Sequence, residues 1–124
     1  VNRRILYIED NEQNLYLVKF LLEKHGYSVS TANTGLEGIE KAVAEKPDLI
    51  LLDIQLPGMD GYAVAQRLRQ SPESAPIPII AVTSYAMSGD REKTLAAGCN
   101  DYIEKPINPD TFIFKLEQLL HLRG

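Results

Sequence analysis

At 124 residues, with 44% apolar and 24% charged content, the chain is composed like an ordinary globular protein and is sized for a single domain over residues 1–124. Its formal charge of −4 lacks the basic footprint that a phosphate backbone attracts, which argues against direct nucleic-acid binding. Its longest apolar runs are four residues and exclude a helical membrane span, which takes about 18, while its single cysteine, Cys99, makes neither an internal disulfide nor a metal cage and suits a reducing, cytoplasmic setting.

Short β-branched apolar runs alternate with segments of helical period, the βα repetition of a parallel sheet covered on both faces. Ile5 to Ile8 reads as the first strand. A helix follows from near Asn11, with Leu15, Val18 and Leu22 on one face, and Gly26 ends it. Ser28 to Ala32 alternates like a short edge strand, and Leu36, Ile39 and Val43 then mark a second helix closed by Pro47. Leu49 to Leu52 is unbroken apolar sequence, which places a third strand centrally. A third helix runs from Gly61 to Gln70, and the prolines between Ser71 and Pro78 make a loop before a fourth strand, Ile79 to Val82. The fourth helix, Met87 to Ala97, has only Met87 and Leu95 as large apolar residues, so light anchoring is expected. Tyr102 and Ile103 form a short fifth strand. Pro109 opens a fifth helix whose Phe112, Ile113, Leu116, Leu119 and Leu120 face inward. The result is a three-layer α/β sandwich.

In such a sheet, ligands bind at the edge where the strands' carboxyl ends emerge. The first strand ends in Glu9 and Asp10, the third in Asp53, the fourth in Thr83 and Ser84, and the fifth in Glu104, Lys105 and Pro106. Taken singly, each has a plain explanation: Asp10 or Asn11 as a helix cap, Thr83 as a strand former, Ser84 as a cap, Lys105 as solvated surface. Asp53 is harder to explain that way, because a carboxylate directly after the most apolar strand is costly unless something surrounds it. Three acids and one lysine together leave a net charge of about −2, which a divalent cation offsets. A hard, oxygen-ligated ion of the Mg²⁺ type fits and leaves room for a phosphate oxygen. An aspartate beside such an ion acts as a nucleophile toward phosphorus, and Lys105 and Thr83 are placed to bind the incoming phosphoryl oxygens.

IEDN at 8–11, LLDIQLPGMDG at 51–61, AVTSYA at 81–86 and DYIEKPI at 101–107 together resemble the receiver domain of two-component response regulators. The resemblance implies a flavodoxin-like (βα)5 fold with a five-stranded parallel sheet of order 2-1-3-4-5. It implies Asp53 as phosphoacceptor, with Glu9 and Asp10 binding Mg²⁺ directly or through water and Mn²⁺ as a substitute. Asp53 and the backbone carbonyl of Gln55 complete the implied metal set. Lys105, ahead of a cis bond to Pro106, and Thr83 would hold the phosphoryl group, and Thr83 and Tyr102 would form the switch. Asn11, Gln55 and Tyr85 occupy rate-tuning positions, and the bulk of Tyr85 implies a phosphorylated form lasting minutes or longer. His25 and His121 lie at a helix end and near the chain end, where neither is expected to accept phosphate or bind metal.

Implied partners are a sensor histidine kinase or a histidine phosphotransfer protein, and a downstream protein target on the face made by the fourth helix, fifth strand and fifth helix. The chain would act as a monomer or a phosphorylation-dependent dimer, without nucleic acid or membrane. It would be no enzyme beyond catalysing its own phosphorylation and dephosphorylation. Two alternatives stand beside this: a Mg²⁺-dependent aspartate-nucleophile phosphohydrolase resembling the haloacid dehalogenases, and an interaction module that works without phosphate. Against the first, Gln55 stands where those enzymes carry a second aspartate.

Overall fold

The computed structural model describes residues 3–84 and 90–123. In chain order the elements are β1 (Arg4–Ile8), α1 (Glu12–Lys24), β2 (Ser28–Ala32), α2 (Gly35–Glu45), β3 (Leu49–Asp53), α3 (Gly61–Gln70), β4 (Ile79–Thr83), α4 (Asp90–Ala96), β5 (Asp101–Glu104) and α5 (Pro109–Arg123). All strand pairs are parallel, in the order β2-β1-β3-β4-β5. This is the five-stranded sheet and three-layer α/β sandwich expected, with β3 at the centre and β2 at an edge. Among the described residues, no helix is long and apolar enough to cross a membrane.

Strand alternation explains the unbroken apolar runs. Leu6, Ile8, Ile50, Leu52, Ile79 and Ala81 pack with Ala42 of α2 and Val64, Ala65 and Leu68 of α3. Their neighbours Ile5, Tyr7, Leu49, Leu51 and Ile80 pack on the opposite face with α1 (Val18, Leu22) and α5 (Phe112, Leu116, Leu120). Successive side chains point to opposite faces, so a strand covered on both sides must be apolar at every position.

Local chemistry starts the helices. Asn11 caps α1 by accepting from the Asn14 N–H at 3.0 Å, Thr34 caps α2 from Glu37 N–H at 3.1 Å, and Asp60 caps α3 from Ala63 N–H at 2.9 Å. Of the two cap candidates for the first helix, Asn11 is therefore the cap. At the far end of α1, the exposed His25 lies with Nδ1 3.0 Å from the Leu21 carbonyl oxygen.

The second helix departs from expectation. Leu36 points outward, 58% exposed, and the buried face is made of Gly35, Gly38 and Ala42. The reason is proximity: a Cβ at Gly38 would fall 2.7 Å from Ile8 Cγ1, and one at Gly35 would fall 2.6 Å from Val64 Cγ2. With α2 that close to the sheet, small residues must face inward and the leucine turns away. Gly38→Ala is therefore expected to lower stability by about 1–3 kcal/mol through overpacking, a loss that urea denaturation would read directly.

Only part of the fourth helix falls within the described residues; Met87 lies outside them. Thr94 and Ala97 are buried against the core while Leu95 is exposed, so the one large apolar side chain described here does little anchoring. The Thr94 hydroxyl is buried without a hydrogen-bond partner among the described residues. An unmade bond of that kind costs about 1–3 kcal/mol and weakens the seating of the helix further. Its far end is held from outside: Arg69 of α3 donates to the carbonyl of Gly98 at 2.8 Å, to those of Ala75 and Ile77 at 2.7 and 2.6 Å, and to Asn100 Oδ1 at 2.9 Å. Cys99 beside it is a buried free thiol, and burial pushes its pKa up to about 11, which leaves it inert.

Candidate functional site

Alternation along β1 and β3 aims the acids. Tyr7 faces α1 and α5, so Glu9, two residues on, emerges on the same side; Leu51 likewise sets the direction of Asp53. Asp53 is itself the last residue of β3, in register with Val82, one residue further into the sheet than the sequence suggested. Thr83 similarly closes β4. The turn after β5 carries Lys105 to the same edge, and the Lys105–Pro106 peptide is cis.

The side chains meet at short range. Lys105 Nζ lies 3.2 Å from Glu9 Oε1 and 3.4 Å from Asp53 Oδ2. Glu9 is 1% exposed and Asp53 2%, against 19% for the Lys105 side chain. One ammonium thus serves two buried carboxylates. Burial pushes the Glu9 carboxyl above its usual range, and the hydrogen bond and charge of Asp53 add to that; Lys105 and the Tyr7 hydroxyl pull it back down.

Both oxygens of Asp53 are oriented. Oδ1 accepts from the Gln55 N–H at 2.9 Å, and Oδ2 faces Lys105. The Gln55 side chain in turn accepts from the Ser84 N–H at 3.0 Å, tying the exit of β3 to the exit of β4. Gly61 allows this crowding: a Cβ there would fall 2.8 Å from the Asp53 carbonyl oxygen, so only glycine lets α3 begin against the end of β3. Asp10 is exposed at the mouth of an open cleft of about 580 Å³, which Glu9, Asn11, Asp53, Gln55 and Lys105 also line.

The acids fit a small hard cation. One oxygen each from Glu9, Asp10 and Asp53 lies within 4.8 Å of the other two. Adjacent ligands of octahedral Mg²⁺ stand about 3 Å apart, so the three oxygens are gathered at one place and would draw closer together around a bound ion. Every donor is an oxygen, and the excess negative charge supplies the attraction.

The switch candidates lie on β4 and β5. Thr83 is buried at the end of β4, and Tyr102 is the register partner of Ala81, two residues before it. The Tyr102 ring is half-buried against the α3 side of the core, with Lys115 Nζ 5.0 Å from its centroid. Lys115 also donates to the Tyr102 carbonyl at 2.8 Å. Tyr85 lies outside the described residues.

Two residues at the site escaped the sequence reading. Tyr7 donates from its hydroxyl to Glu9 Oε1 at 2.9 Å, and Asn14 donates from Nδ2 to the same oxygen at 3.3 Å. The signal for Tyr7 was its place two residues before Glu9 on one strand, which puts both side chains on one face.

Known proteins resemble this chain in sequence and fold. The profile of the response regulator receiver domain matches residues 5–117. The polar-differentiation response regulator DivK of Brucella anthropi is 42% identical over 118 residues, covering 95% of this chain and 96% of that protein. The receiver domain of the sensor histidine kinase PA1611 from Pseudomonas aeruginosa PAO1, a crystal structure with a magnesium ion coordinated in the active-site cleft, superposes with a TM-score of 0.90 at 34% identity, covering 98% of this chain and 99% of that one. The chemotaxis protein CheY4 of Vibrio cholerae superposes with a TM-score of 0.91 at 26% identity, over 96% of this chain and 99% of that one. With a family profile spanning nearly all of its length and an acid cluster at the carboxyl edge of its sheet, the chain belongs to the response regulator receiver domains, phosphoryl-accepting modules of two-component signalling.

Proposed function

We propose that Asp53 is the residue that takes the phosphoryl group, from a phosphohistidine on a sensor histidine kinase or a histidine phosphotransfer protein. The observation that carries this is the pairing of Lys105 with both Asp53 and Glu9 at the open edge of the sheet. An Asp53 carboxylate oxygen attacks phosphorus, the phosphorus–nitrogen bond of the donor breaks, and the imidazole leaves with the electron pair and is reprotonated. Lys105 and the Thr83 hydroxyl bind the transferred oxygens. Glu9, Asp10, Asp53 and the Gln55 carbonyl would hold Mg²⁺, or Mn²⁺ in its place. The bound ion supplies neutralising charge to the phosphoryl oxygens.

Receiver domains are signalling modules rather than classical enzymes, and the chemistry proposed here is confined to the chain's own phosphorylation and dephosphorylation. Asn11, Gln55 and Tyr85 set its rates. The donor's docking surface is the exposed apolar strip of α1, Tyr16, Leu17 and Phe20. Beside it runs a groove of about 570 Å³ that Leu17, Leu21, Pro106 and Ile107 line together with Lys105. A donor seated there would present its phosphate next to Asp53. A histidine donor and a free thiol both suit the cytoplasm.

Phosphorylation replaces one carboxylate charge with a phosphoryl of about −1.5 to −2. Thr83 moves toward the new oxygens, the Tyr102 ring fills the space behind it, and the lightly seated α4 shifts with β5 and α5 to meet a downstream target. Tyr102→Ala should leave labelling by acetyl phosphate intact and weaken capture of that target by about tenfold, since a buried aromatic contributes more than 1 kcal/mol of contact. Target binding that does not change on phosphorylation of the wild type would remove the switch. The acceptor role is tested by incubation with acetyl phosphate and Mg²⁺: wild-type protein gains one hydroxylamine-sensitive phosphoryl group, and protein that stays unlabelled would favour a phosphate-independent module.

A further inference from the structure

We propose that Tyr7 is a positioning residue for the phosphorylation site, its buried hydroxyl holding Oε1 of Glu9 so that Oε2 is the oxygen turned toward the cation. This rests on the reading of Glu9, Asp10 and Asp53 as a Mg²⁺ site. Tyr7 is fully buried on β1, in the core layer beneath α1 and α5, among apolar neighbours of that layer such as Ile5, Leu51, Leu22 and Phe112. A tyrosine there must find a partner for its hydroxyl. It finds Glu9 Oε1 at 2.9 Å.

The same oxygen carries two further contacts, Lys105 Nζ at 3.2 Å and Asn14 Nδ2 at 3.3 Å. Among the described residues, the N–H donor to Oε2 is that of Asn11, at the longer distance of 3.4 Å. The two oxygens of Glu9 are therefore unequal: one is saturated by three donors from β1, α1 and the turn after β5, and the other remains available as a ligand. Glutamate has one more methylene than aspartate and one more rotor to fix. A hydroxyl rising from the core two residues earlier on the same strand fixes it, as groups behind a ligand commonly do.

The test is calorimetric titration of metal-free protein with Mg²⁺, in a square of four proteins: wild type, Tyr7→Phe, Glu9→Asp and the double variant. Tyr7→Phe keeps the ring and loses only the hydroxyl, and is expected to raise the Mg²⁺ dissociation constant by about tenfold. In the Glu9→Asp background, where the shorter carboxylate falls short of the phenol, the same change should alter it less than about twofold, because the partner is gone. Asn14→Ala, on the surface of α1, removes a second donor to the same oxygen and should act in the same direction, which covers poor folding of the core variant. An equal loss in both backgrounds, or a Tyr7→Phe protein that binds Mg²⁺ like the wild type, would overturn the proposal. Wild-type protein that binds no Mg²⁺ at millimolar concentration would remove the metal reading, and this one with it.

Discussion

Asp53→Asn should abolish phosphoryl acceptance and, in the same protein, raise the stability of the metal-free fold. Labelling falls to background because an amide is no nucleophile toward phosphorus. The gain in stability follows from the buried acids. Glu9 is held above its ordinary value of 4.5 by burial first, then by the hydrogen bond and charge of Asp53. Between 4.5 and the raised folded value, the folded protein keeps a proton that the unfolded chain has lost, so stability falls as pH rises through that window. Above it the folded state carries the full repulsion. Removing the Asp53 charge moves Glu9 back toward its ordinary range and leaves it a one-to-one pair with Lys105. The variant is expected to melt a few degrees above the wild type at neutral pH. That gain should shrink as pH falls through the raised folded value and be lost below 4.5, where Glu9 is protonated in both states. Mg²⁺ should stabilise the wild type more than the variant, since the wild type has more charge to neutralise; at a hundred times its dissociation constant the ion contributes about 2.7 kcal/mol. Thermal melts across pH, with and without Mg²⁺, read both effects. A variant that melts below the wild type at neutral pH without metal would contradict the account.

Lys105→Met acts in the opposite direction on stability and in the same direction on chemistry. The ammonium pairs with two carboxylates that have almost no access to water, and losing it leaves both without a cation. Breaking a buried pair from one side costs about 3–5 kcal/mol, but Lys105 is partly open to solvent and Glu9 can take up a proton, so about 2–3 kcal/mol is expected here. Mg²⁺ should recover most of that loss and bind more tightly than to the wild type, because a competing positive charge has gone. Labelling by acetyl phosphate should still fall about a hundredfold, as when one preorganised donor to a developing oxyanion is removed. Stability restored by Mg²⁺ with labelling still slow would separate the lysine's two roles; labelling at the wild-type rate would deny it the second.

Much of this was legible along the chain. The apolar quartets at Ile5, Leu49 and Ile79 announced strands covered on both faces, and the polar residue after each run marked the edge where chemistry collects. Asn11, Thr34 and Asp60 announced helix starts by cap chemistry that works within four residues. Glu9, Asp10, Asp53 and Lys105 could be assembled on paper because parallel strands bring their carboxyl ends to one side whatever the loops do.

What the sequence determined alone were properties of period and position: which runs are strands, which faces are apolar, which residues reach the functional edge. Tertiary structure decided what depends on distance between elements. Leu36 faces water because α2 approaches Ile8 and Val64 too closely for a side chain at Gly38 or Gly35. Asp53 proved to lie inside the ladder, nearly without solvent, and one lysine is divided between two acids. Tyr7 looked like one more core residue until its hydroxyl was found on Glu9. Periodicity tells which way a side chain points, but a hydrogen bond is decided by a few tenths of an ångström, and those are set only when the layers close.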